Sequence, residues 1–213
     1  MNKPNLVLIK DIELQLEELN SNLLKRIDVN SFDCESSIPF KTYDLINGLL
    51  YRSYDLAATS FSLIKQKETT SALLLIKALI ESIASLEYLV FKMGNLSYTK
   101  NIESFESVLK SMLFGNDSDD MSNMINSLLD KSPDLASSYA HIDEHSNPDF
   151  AGSHGLYAKM NMDEFYIEYG KNINEEMLNS YHQGLLGITT VLGVLETIIK
   201  NIEDSREQFI EIF

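Results

Sequence analysis

Residues 68–93, ETTSALLLIKALIESIASLEYLVFKM, carry apolar side chains on nearly every side of a helix. Such a helix is stable only when other helices surround it, so the segment predicts the central, most buried element of the fold. Gly94-Asn95 follows as a C-terminal stop signal. Lys77, Glu81 and Glu87 interrupt the middle of the apolar run. Lys77 and Glu81 are four apart and can pair on one face, and charges on so apolar a helix call for polar partners from its neighbours. Arg52, one of three arginines, is a natural partner for a carboxylate.

The remaining segments supply those neighbours. From Asn5 to about Asp28, Leu8, Ile12, Leu16, Leu19, Leu23 and Ile27 recur at helical steps. After the polar connection NSFDCESSIPF, with Pro39 suited to a first helical turn, the helical period resumes to about Gln66 and breaks at Lys67-Glu68. Weaker helices are expected over Ser97–Phe114 and Met121–Lys131. Between them, the acidic loop GNDSDD lacks calcium-loop ligand spacing and reads as a solvated turn that caps the next helix. A short helix from Leu135 to His145 is stopped by Asn147-Pro148, and residues 156–170 suggest a small hairpin or irregular arm. The last helix runs from about Asn174 past Asp204, with Leu178, Leu185, Ile188, Val191, Leu192, Leu195 and Ile199 on its inner face. Within it, Gly184, Gly187 and Gly193 each disfavour helix by about 1 kcal/mol relative to alanine, which close approach of a neighbouring helix would offset. These elements predict one all-α domain over 1–213, an antiparallel helical bundle.

A formal charge of −15, from 32 acidic and 17 scattered basic side chains, disfavours strong nucleic-acid binding by a monomer. The single cysteine, Cys34, excludes an internal disulfide and fits a reducing, cytoplasmic compartment. No signal-peptide pattern opens the chain, and Glu196 within GLLGITTVLGVLETIIK marks that segment as a core helix rather than a membrane span.

The chemistry-bearing stretch is HIDEHSNPDFAGSHG, residues 141–155. His141 and His145 share a helix face and bracket Glu144, the His-x-x-Glu-His spacing of inverted zincin peptidases, in which Glu144 would be the general base and His154 or a distant glutamate the third ligand. The rest of that pattern is missing, and Pro148 ends the helix at once, so no metal is assigned and metal-dependent hydrolysis ranks third among the functions considered. No di-iron Glu-x-x-His pair, nucleophile elbow or phosphate-binding glycine loop occurs, and no cofactor is expected. A purely structural account is also available: His145 ends a helix, where a cationic ring is favoured, and Asn147-Pro148 is an exit turn.

Two of these segments together, ALLLIKALIESIASLEYLV and YAHIDEHSNPDFAGSHGLYAKM, resemble a group of bacterial helical proteins related to the HEPN superfamily. In that group a central helix carries Arg-x-x-x-Glu, and a later helix ends in a Ser-Glu-x-x-His-Pro-Asn type of motif followed by glycine. The likeness spans Tyr51 to Met160. Glu81 matches the central glutamate, Lys77 stands where arginine is usual, and His145 resembles the motif histidine, with Ser146 separating it from Asn147-Pro148. The arginine that active HEPN ribonucleases place shortly before their histidine is absent: Ser138, Tyr139 and Ala140 fill that window. Lys77, Lys159 or Arg52 would have to supply the missing positive charge.

The resemblance implies a HEPN-like bundle, dimeric through its helices, with an RNA-related role as a ribonuclease-type effector or as a catalytically degenerate RNA- or nucleotide-binding relative. His141, Glu144, His145, Asn147 and Glu81 are its candidate catalytic residues, and Lys77 and Arg52 its binding residues. The alternative from another class is a non-catalytic module whose acidic surface contacts a protein partner. No membrane association is expected in either case.

Overall fold

The apolar run folds as the axis of an all-α antiparallel bundle. A computed structural model describes residues 3–23, 37–114, 118–146, 158–161, 166–169 and 175–213. The described helices are α1 (Lys3–Leu23), α2 (Ile38–Lys65), α3 (Thr69–Thr99), α4 (Ile102–Phe114), α5 (Ser118–Lys131), α6 (Pro133–Ser146) and α7 (Glu175–Ile210). Helix α3 packs against α2, α4, α5, α6 and α7, while α1 lies on α7 and α2. Its residues 82–86 are buried without interruption, as expected of a helix apolar on all sides. The two serines in that run are satisfied: Ser82 and Ser53 share a hydrogen bond at 3.1 Å, and Ser85 donates to the Glu81 carbonyl.

Local chemistry sets the helix ends. The Ser37 hydroxyl accepts the Phe40 N–H, and Pro39 sits in the first turn of α2. Between α2 and α3, Lys67 adopts a left-handed conformation (φ 64°), which reverses the chain at the expected break. Gly94-Asn95 does not end α3. Met93 and Leu96 continue its buried face, and the chain turns only at Lys100, which is left-handed and donates its N–H to the Leu96 carbonyl at 2.8 Å. The following helix accordingly begins at Ile102 rather than Ser97, and the Asn101 side chain accepts the Ser104 N–H. The expected extension of α1 to Asp28 and residues 115–117 of the acidic loop lie outside the described residues, whereas Ser118, Asp119 and Asp120 are helical, so α5 begins at Ser118 rather than Met121.

Residues Ala158–Asn161 and Tyr166–Tyr169, within the expected arm, pair as a two-stranded antiparallel ladder, Ala158 opposite Tyr169 and Asn161 opposite Tyr166. Helix α7 is long and apolar enough to cross a membrane by length and composition alone, and half of its apolar window is buried in the bundle. Leu185, Ile188, Val191, Leu192, Leu195 and Ile199 lie in the core as the spacing predicts. Leu178 does not: it is 56% exposed. Two of the three glycines of α7 mark close helix approach. A Cβ on Gly184 would come within 2.8 Å of Ile64 Cδ1 on α2, and one on Gly187 within 2.9 Å of Ile142 Cδ1 on α6. Gly193 has no such neighbour within 4 Å.

Candidate functional site

Helix α6 lies against both α3 and α7, and its own sequence divides the polar residues of the histidine stretch between them. Leu135, Ser138, Ile142 and Ser146 form its buried stripe. The absence of a side chain at Gly187 lets Ile142 sit directly on α7. One flank of the stripe carries His141, the other Tyr139 and Asp143.

On the α7 flank, His141 Nε2 lies 3.1 Å from Ser180 Oγ. A hydroxyl–imidazole pair can make a nucleophile. Ser180, however, is fully buried, so no substrate carbonyl or phosphate reaches its oxygen. The pair ties α6 to α7. Ser146, also buried, donates to the Asp143 carbonyl at 3.0 Å and is likewise consumed within the fold.

On the α3 flank, Lys77 Nζ donates to Asp143 Oδ1 at 2.6 Å. This corrects the expected pairing of Lys77 with Glu81: the acid from α6 captures the ammonium, and the half-buried Glu81, one turn along α3, contributes only its nearby charge. The Asp143 hydrogen bond holds Lys77 above the ordinary lysine range, against the opposing effect of partial burial. Burial, followed by the charge of Asp143, raises the phenol of Tyr139, which stands one turn before Asp143 on the same flank. Glu87 also finds a partner from another helix, Lys131 of α5, whose Nζ lies 5.4 Å from the centre of the Phe91 ring.

The other predicted site residues do not join this cluster. Glu144 is exposed. Arg52 is exposed on α2 and forms no ion pair with a described residue, contrary to its expected role as a carboxylate partner. The side chains of His145, Asn147, His154 and Lys159 lie outside the described residues. Among those described, no three His, Cys, Asp or Glu side chains gather in a way that could hold a metal ion. Sequence reasoning missed Asp143, which occupies a variable position of His-x-x-Glu-His. Its signal was the four-residue spacing from Tyr139, which puts both on the flank opposite His141.

The Lys77 and Asp143 side chains are 35% and 51% exposed, so solvent screens their attraction. Asp143→Asn is expected to lower stability by about 0.5 kcal/mol at neutral pH and low salt, and by less in 1 M salt. Because the folded lysine titrates above its ordinary value of 10.5, the contribution is complete below that pH and fades as pH rises through the folded value. Paired urea titrations of the native chain and the variant at pH 7 and pH 11 measure both effects.

No protein-family model matches this chain, and comparison with curated proteins and with solved structures gave no match.

Proposed function

We propose that the chain is a HEPN-like bundle with an RNA-related lineage that works by contact with a protein partner and does not cleave RNA. The observation carrying this proposal is the 2.6 Å bond between Lys77 and Asp143. It joins the two segments on which the HEPN resemblance rests, 66 residues apart in sequence. It also occupies the one basic residue of the central motif with an internal carboxylate. A phosphate in flight needs an uncommitted cation as well as a proton carrier, and Lys77 could serve only by leaving Asp143.

The later motif supports the same conclusion. Ser146 separates His145 from Asn147-Pro148, and Ser138, Tyr139 and Ala140 fill the window in which active HEPN ribonucleases carry their arginine, so the histidine has no cation beside it in the motif. A net charge of −15 favours a basic protein surface over a polyphosphate chain. Homodimerisation belongs to this proposal, through the part of α7 where Gly193 leaves open space.

A ribonuclease is the second reading. It is favoured by His145, two residues after Asp143, at the end of α6 that meets Lys77. Fluorescence anisotropy with labelled single-stranded RNA at physiological salt separates the two. No saturable binding is expected from the native chain. Saturable binding that Lys77→Met weakens would favour the RNA-directed alternative.

A further inference from the structure

The stretch from Tyr88 to Ile102 contains no acidic residue, although acids make up 32 of the 213 residues of the chain. It forms the last turns of α3 and the turn into α4. Lys77 and Lys92 are fifteen residues apart on α3, roughly 22 Å along its axis, so this corner is separate from the α3–α6 cluster. Here the two helices border a half-open, mixed polar and apolar cleft of about 180 Å³. Lys92, Asn95 and Thr99, at three- and four-residue spacing, line it from α3, and Ser104 lines it from α4. Leu96 and Phe105, both almost fully buried, give it an apolar floor.

We propose that this cleft binds a small organic monoanion with a compact apolar body, a carboxylate of benzoate size. Volume, floor and charge each narrow the ligand. Pockets for drug-sized molecules begin at roughly 300 Å³, whereas a cavity of about 150 Å³ accommodates a benzene ring. The Leu96 and Phe105 floor suits such a ring better than a hydrated inorganic ion. Lys92 has no ion-pair partner among the described residues, and its Nζ lies 5.0 Å from the Tyr88 ring centre. A single ammonium, with the Asn95 amide and the Ser104 hydroxyl, suits one negative charge. Phosphate dianions call for more cations than this, and Glu103, in the first turn of α4, would repel them. The α4 N-terminus adds nothing to the site, because Asn101 already caps it. Thr99 is also engaged, donating to the Asn95 carbonyl at 3.1 Å, which leaves Lys92, Asn95 and Ser104 as the recognising groups.

The cleft is independent of the function proposed above and is tested separately. The full chain is titrated with benzoate, with benzamide as its neutral counterpart, and with inorganic phosphate, while backbone amide shifts are followed by NMR. Benzoate is expected to give saturable shifts concentrated in residues 92–108, with benzamide and phosphate at least about tenfold weaker. Lys92→Met should weaken benzoate about tenfold while leaving the melting temperature unchanged, because the lysine is not part of the core. Unsaturable or scattered shifts, equal binding of benzamide, phosphate binding as tight as benzoate, or an unaffected Lys92→Met variant would each overturn the proposal.

Discussion

Ile76→Ala is expected to lower the unfolding free energy by about 3 kcal/mol and the melting temperature by roughly 6–12 °C. Ile76 is fully buried on α3 at the point where that helix meets both close-packed glycines of α7. Its Cδ1 lies 3.5 Å from the position a Cβ would take on Gly184, and its Cγ2 lies 3.5 Å from that on Gly187. Truncation therefore opens a void beneath two helix contacts at once, and glycine offers no side chain to fill it. Thermal unfolding by circular dichroism measures the loss. A change below about 1 kcal/mol would mean that α7 does not seat on α3 through these glycines.

A second large effect is expected where the chain ends. Phe209 is fully buried, and its ring meets those of Tyr43, Phe105 and Phe213 edge-on, at 6.0, 5.4 and 5.3 Å between centres. The cluster fastens the last turn of α7 to α2 and α4. Phe209→Ala should destabilise by about 3–5 kcal/mol, from lost burial and lost ring contacts together. A separate readout comes from Tyr43, whose phenol burial pushes up to about 12 against the opposing charge of Arg206. Because the folded phenol titrates above its ordinary value of 10, native stability holds below pH 10 and declines as pH rises toward 12. In Phe209→Ala the cluster is opened to water, so ultraviolet titration at 295 nm should find Tyr43 ionising nearer its ordinary range. Unchanged titration together with unchanged stability would contradict the packing described.

The bundle was legible because hydrophobic period is a local signal. The run over 68–93 declared its own burial, and the spacing along α7 correctly assigned most of its inner face. Gly94 misled because glycine is only a statistical stop: Leu96 lies just beyond it, and a further buried residue outweighs the helix propensity of one position. Leu178 misled in the opposite direction. Periodicity places a side chain on a face, but whether a neighbour covers that face is a property of the packing.

The polar cluster was legible only in part. Lys77 and Glu81 stood out because charge is rare on α3, yet four-residue spacing could not reveal that an acid 66 residues away would capture the lysine. His141 and Asp143 are two apart, so α6 points them toward different neighbours. Grouping residues by proximity in sequence merged two contacts that the helix separates. The α3–α4 cleft left a fainter trace, fifteen residues without an acid in an acidic chain, and that trace acquires meaning only once the two helices are seen to meet there.

That the chain does not cleave RNA is the part of the proposed function most directly open to test. Purified native chain, His145→Ala and Asp143→Asn are incubated with a mixed-sequence RNA in the presence of a chelator, and the products are resolved by gel electrophoresis. No cleavage above buffer is expected from the native chain or from His145→Ala. Cleavage by the native chain that His145→Ala abolishes would establish a metal-independent ribonuclease and contradict the account.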